Sequence, residues 1–207
     1  MRFILLASLF LITRTYNIAV VGASSDLGKE IIYQGIVERR LNIIGFTSNN
    51  KISLPYRGDS FNKKIDMPIF NHKQLTIENY WDNLLNYEYK HLIFSTSASP
   101  FQKDYSDILT EKFLINLPKS CESISLVSAF GVGNSLETGN LGIQIMNSLY
   151  LKDVYRAKNR QEELVENLDL NITKLIYRPK ALSYGYTKIE SIPRDKFARM
   201  ILDDLNL

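Results

Sequence analysis

Cysteine is nearly absent: Cys121 is the single one among 207 residues, so no internal disulfide can staple the fold. The two histidines, His72 and His91, stand far apart, and no Cys/His cluster has metal-ligand spacing. Zinc chemistry is thereby set aside, and isolated histidines of this kind read as surface or packing residues. Lysine and arginine form no long block and the formal net charge is +3, so nucleic acid is not indicated as a partner. Internal repeats and low-complexity linkers are missing too. What is present is ordinary: 45% hydrophobic and 23% charged residues, enough for one domain with a sizeable core, or one domain plus an appendage.

The uncharged run FILLASLFLI at 3–12 is too short to span a bilayer as an ordinary helix. It follows Arg2 and precedes TRTYN, the layout of a short leader, although no clean small-x-small cleavage site precedes Asn17. Residues 1–16 are therefore expected to be a secretory or organellar leader, or an anchor touching a membrane through 3–12. An extra buried helix in a cytoplasmic protein is the alternative. The fold is expected to occupy 17–207.

From Asn17 onward the segments alternate. NIAVVG (17–22) is a buried-strand run, KEIIYQGIVER (29–39) a helical stripe, and LNIIGFTS (41–48) a second strand. A short strand is expected around NKKIDM and a helix over 76–88. HLIFSTSAS (91–99) is a strand running into small residues, followed by a helix at 106–117 that Pro118 stops. SISLVSAFGVG (123–133) is a strand, 154–168 a long amphipathic helix, NITKLIYRP (171–179) a strand, and 194–205 a last helix. Such alternation implies parallel βαβ units and hence a single α/β domain, a doubly wound parallel sheet of Rossmann-like type.

The first strand meets VVGASSDLGKE, with Gly22 at its end and Gly28 at the opening of the helix. In a dinucleotide-binding turn the first glycine permits the tight bend and the last lets helix and strand pack closely. The helix N-terminus then offers N–H groups and partial positive charge to a diphosphate. Ser25 stands where a middle glycine is usual, and Ser24 and Ser25 have hydroxyls that could donate to phosphate. Asp26 and Leu27 complete the turn. About twenty residues further on, Thr47, Ser48, Asn49 and Lys51 offer hydroxyls, an amide and a cation but no carboxylate for a ribose diol. NADP is expected from this, with NAD the alternative. A plain strand–helix turn without nucleotide is the competing reading.

Several segments together resemble the atypical short-chain dehydrogenase/reductases, the group that includes NmrA-like and HIM/TIP30-like proteins. VVGASSDLG looks like that group's opening GAxGxxG, and LIFSTSAS sits where its fourth strand passes the cofactor. The resemblance thus implies cofactor contacts at Ser95, Thr96 and Ser97. SLVSAFGVG is similar to the segment that supplies the active-site Ser, placing Ser128 there. LIYRPKALSYG resembles the sixth-strand segment through Arg178 and Pro179, and IPRDKFARMILDDL resembles the closing helix.

These enzymes use a Tyr four residues before a Lys on one helix, the Lys easing proton exchange by the tyrosine. Lys158 is the candidate, but Val154 lies four residues back and Tyr155 three. Sliding the register puts Asn159 in the lysine's place. From Lys158, the positions four, seven and ten residues on are Glu162, Val165 and Leu168, the family's usual Glu and apolar residues. From Asn159 they are Glu163, Glu166 and Asp169. Lys158 is in register and Tyr155 is displaced by one helical step of about 100°. A Tyr155–Lys158 pair still shares one helix side. Tyr150 is a second candidate, and a core-edge role for Tyr155 is the plain reading. Lys158 could also bond the nicotinamide ribose.

Only 28 residues follow Pro179, which suits a small or shallowly held substrate, or none. Two functions are consistent with these residues. One is an NAD(P)H-dependent reductase of a small carbonyl, quinone-like or flavin-like substrate, with Ser128, Tyr155 and Lys158 at the chemistry. The other is a non-catalytic NADP-binding redox sensor or assembly protein. Oligomeric state is left open.

Overall fold

The computed structural model describes residues 15–48, 87–96, 105–129, 132, 152–179, 182–183 and 191–207. Five strands form one sheet: β1 Thr15–Val21, β2 Ile43–Phe46, β3 Glu88–Phe94, β4 Ser123–Val127 and β5 Thr173–Tyr177. Their order is β2-β1-β3-β4-β5 and every neighbouring pair is parallel. Val21 lies beside Phe46 on one side and Phe94 on the other, so β1 is where the chain changes direction across the sheet. Open α/β sheets bind ligands at such a switch point, beyond the carboxyl ends of the strands.

Four helices cover the sheet among the described residues: α1 Asp26–Val37, α2 Ser106–Ile115, α3 Lys152–Glu166 and α4 Arg194–Asp204. Ile18 and Val20 of β1 face a core completed by Leu27, Ile31 and Ile32 of α1 and Phe197 and Ile201 of α4. Ala19 and Val21 face the opposite core, with Phe113 of α2 and Val165 of α3. A strand covered on both faces must be apolar throughout, and residues 18–21 have no exposed surface. This is the doubly wound arrangement expected from the alternation. A small parallel pair, β6 Leu182–Ser183 with β7 Ile192–Pro193, precedes α4 and was not anticipated.

Most element ends shift by a few residues from expectation, α1 for one beginning at Asp26 rather than Lys29, and two of the shifts have a clear physical cause. The first strand begins at Thr15 rather than Asn17, because Tyr16 is buried and packs its ring 6.1 Å from that of Tyr87. Glu88, expected to end a helix, instead begins β3, where Tyr89 and His91 point inward and Lys90 outward. The expected strand near NKKIDM and residues 76–86 of that helix lie outside the described residues, as does the run at 3–12. Among the described residues no helix is long and apolar enough to cross a membrane.

Candidate active site at the carboxyl edge of the sheet

Gly22 leaves β1 with φ of 84°, a left-handed conformation that favours glycine. A Cβ there would lie 2.8 Å from the Thr96 amide nitrogen and 2.9 Å from the Ser95 carbonyl carbon. A Cβ on Gly28 would lie 2.4 Å from the Gly22 carbonyl oxygen. The two glycines therefore let the turn fold onto itself and onto the end of β3. The Gly22 and Ala23 amides both donate to the Phe46 carbonyl at 3.0 Å, anchoring the bend to β2.

Ser25 is the N-cap of α1, and its Oγ accepts the Gly28 amide at 2.9 Å. The same hydroxyl donates to Ser95 Oγ at 3.3 Å. Ser95 is buried and donates to the Val21 and Gly22 carbonyls, each at 3.2 Å. Ser24 is half-buried on the turn, Leu27 is buried beneath it, and Asp26 is exposed with Lys29 3.5 Å away. Thr47 is buried at the end of β2 and Ser48 is exposed beside it. Asn49, Lys51, Ser97 and Tyr150 lie outside the described residues.

Across the same edge, Lys158 reaches from α3 although only 4% of it is exposed. Its Nζ donates to the Thr96 carbonyl at 2.9 Å, Thr96 Oγ1 at 3.3 Å and the Val127 carbonyl at 3.2 Å. An ammonium has three protons, so these contacts bridge the ends of β3 and β4 with a desolvated cation. The next residue, Ser128, is 7% exposed; its amide donates to the Tyr177 carbonyl at 2.8 Å. The Ser128 hydroxyl is buried with no hydrogen-bond partner among the described residues. Buried hydroxyls are rarely left so, and one at the switch edge is suited to meet a ligand. Tyr155 is half-buried on α3, three residues before Lys158.

The register of α3 follows the pattern counted from Lys158: Lys158, Glu162 and Val165 are buried, whereas Asn159, Glu163 and Glu166 are exposed. Glu162 takes a bidentate bond from Arg178, with Nε at 3.0 Å and Nη2 at 2.7 Å. Gln161 donates to the Ser106 carbonyl at 3.1 Å and to Thr110 Oγ1 at 2.6 Å, joining α3 to α2. Between the two inner strands β3 and β4, His91 Nδ1 lies 2.8 Å from Ser123 Oγ, a packing histidine as expected. Burial pushes the Cys121 thiol up to about 11, so it stays protonated at neutral pH.

No family model and no curated protein matches the chain. Solved structures do match over nearly its whole length. ChuY, an anaerobilin reductase from Escherichia coli O157:H7, superposes with a TM-score of 0.66 at 13% identity, covering 92% of this chain and 90% of that one. The oxidoreductase ylbE from Lactococcus lactis gives 0.65 at 16% identity, covering 92% and 84%. A wide-type short-chain dehydrogenase/reductase from Veillonella parvula DSM 2008, in complex with NADP, gives 0.63 at 12% identity, covering 92% and 88%. What the chain shares with these proteins is the fold, a Rossmann-like α/β sheet.

Proposed function

We propose that the chain is an NAD(P)H-dependent reductase, with NADP the expected cofactor. The observation that carries this reading is the pairing of two features on one sheet edge. One is a glycine turn too tight for any Cβ; the other is a buried Ser128 hydroxyl with no partner among the described residues, on the same edge as the desolvated Lys158. A dinucleotide fits this donor set. Gly22 and Gly28 let the turn close tightly beneath the start of α1, and the N-terminus of α1 supplies the amides and the favourable end of the helix dipole. The nucleotide, when bound, supplies hydride.

The remaining roles fall to this chain's own residues. Ser128 donates its hydrogen bond to the oxygen of a small carbonyl, quinone-like or flavin-like substrate and orients it. Tyr155 or solvent returns the proton. Lys158 keeps the ends of β3 and β4 at fixed separation and lends positive charge to the region where the substrate oxygen becomes anionic. The reductase and the NADP-bound likenesses support this reading through their fold.

A non-catalytic NADP-binding role is the second reading, and one observation favours it. Tyr155 stands three residues before Lys158 on α3, whereas the catalytic pattern sets the tyrosine four residues before the lysine. Turnover of NADPH with a panel of quinones, flavins and aldehydes separates the two. The reductase reading expects turnover that Ser128→Ala lowers by roughly 10- to 100-fold with NADPH affinity retained. Binding without any turnover would favour the second reading.

A further inference from the structure

Ser95 lies just beyond β3, 3% exposed, and its hydroxyl is enclosed by the turn it supports. Its single proton is directed at the carbonyls of Val21 and Gly22, each 3.2 Å away. Its oxygen receives the Ser25 proton across 3.3 Å, and Ser25 in turn receives the Gly28 amide at 2.9 Å. The hydroxyl also sits hard against the helix, since a Cβ on Gly28 would lie 2.8 Å from Ser95 Oγ. Ser25 therefore cannot donate to a phosphate while this chain of bonds is intact. The cap does leave main-chain amides of the first turn, such as that of Leu27, without an acceptor inside the helix.

We propose that Ser95 is a positioning residue for diphosphate binding: it acts through Ser25, holding the cap in the one orientation that aims the first-turn amides at the anion. The proposal rests on the dinucleotide reading above. In this arrangement the serine at the usual glycine position serves as half of a buried hydroxyl pair. The main chain, not the Ser25 side chain, grips the diphosphate. The pair joins β3 to α1, so loss of either hydroxyl frees the same cap.

The test uses the full chain and two probes, NADPH and adenosine 2′-monophosphate, the second lacking the diphosphate. Ser95→Ala and Ser25→Ala are each expected to weaken NADPH by roughly 5- to 30-fold, and the double variant by no more than the worse single one. Affinity for adenosine 2′-monophosphate should change less than about two-fold, because that ligand does not reach the cap. Ser25→Thr keeps both hydroxyl and cap and should restore NADPH affinity to within about two-fold. If Ser95→Ala does not fold, Ser95→Cys tests the same step with a weaker donor of similar size. Equal losses for both probes, or multiplying losses in the double variant, would overturn the role of Ser95 while wild-type NADPH binding stands. A wild-type chain that binds neither NADPH nor NADH would overturn the dinucleotide reading and, with it, this proposal.

Discussion

Glu162 and Arg178 meet fork to fork, one on α3 and the other just past β5. The carboxylate side chain is 4% exposed and the guanidinium 28%. The pair clamps the helix that carries Lys158 to the sheet beside β4. Removing Arg178 would strand a buried carboxylate, and such losses cost several kcal/mol where both partners are buried. With Arg178 partly solvated, Arg178→Ala is expected to cost about 2–3 kcal/mol by urea unfolding with an unchanged m-value. Arg178→Lys should recover less than half of that, since an ammonium cannot reproduce the two parallel bonds. A loss within error of zero would show that the clamp is not holding α3.

The glycines of the turn should separate from a glycine elsewhere on the same helix. At Gly22 and Gly28 an added Cβ meets main-chain atoms that cannot step aside. Ala at either position is expected to destabilise by about 2–4 kcal/mol and to abolish detectable NADPH binding. At Gly35 the nearest atom is the tip of Ile43, 2.5 Å away, which can rotate. Gly35→Ala should therefore cost about 1 kcal/mol or less and leave NADPH affinity unchanged. Paired melting and binding curves on the three variants check this.

Stability should fall with acid in a window set by His91. Burial lowers its pKa below the usual 6.5, with Glu122 opposing that shift and Lys90 adding to it. The unfolded chain thus takes up the proton first as pH falls. Stability is then lost from about pH 6.5 downward until the folded-state value is passed. Melting temperature measured from pH 7.5 to 5 should show this slope, and His91→Gln should flatten it. An unchanged slope in the variant would assign the acid sensitivity to other groups.

Ser25→Asp distinguishes capping from ligand binding at one atom. Aspartate caps helices as well as serine does but cannot donate to Ser95 Oγ, so a loss of about 1 kcal/mol is expected from the missing bond alone. Its negative charge would stand where a diphosphate approaches, and NADPH affinity should drop by more than about 10-fold. Circular-dichroism melts alongside fluorescence titration read the two effects separately. Equal affinity for the variant and wild type would place the anion away from this turn.

The fold was legible because βαβ alternation and apolar strands are local signals. The register of α3 was legible too, since Glu162, Val165 and Leu168 follow Lys158 at helical spacing. Strand starts were harder. Tyr16 adjoins a stretch that reads as a leader's flank, and Glu88 and Lys90 disguise the beginning of β3. Glycine positions marked the turn, but what closes it did not show. Ser25 meets Ser95 across 70 residues of sequence, and Lys158 meets Thr96 across 62. No periodicity records such contacts; the first needs the parallel register that sets β3 beside β1, and the second needs α3 packed across the ends of β3 and β4. Glu162 and Arg178 were each singled out for separate reasons, and their pairing emerged only from the packing of α3 against β5.

Titration of the purified chain with NADPH and with NADH, followed by cofactor fluorescence, asks whether the Gly22–Gly28 turn holds a dinucleotide. Saturable NADPH binding is expected with a Kd of ~10 µM or tighter, about −7 kcal/mol, and it should disappear in Gly28→Ala. No saturation by either nucleotide, or equal binding by wild type and Gly28→Ala, would contradict it.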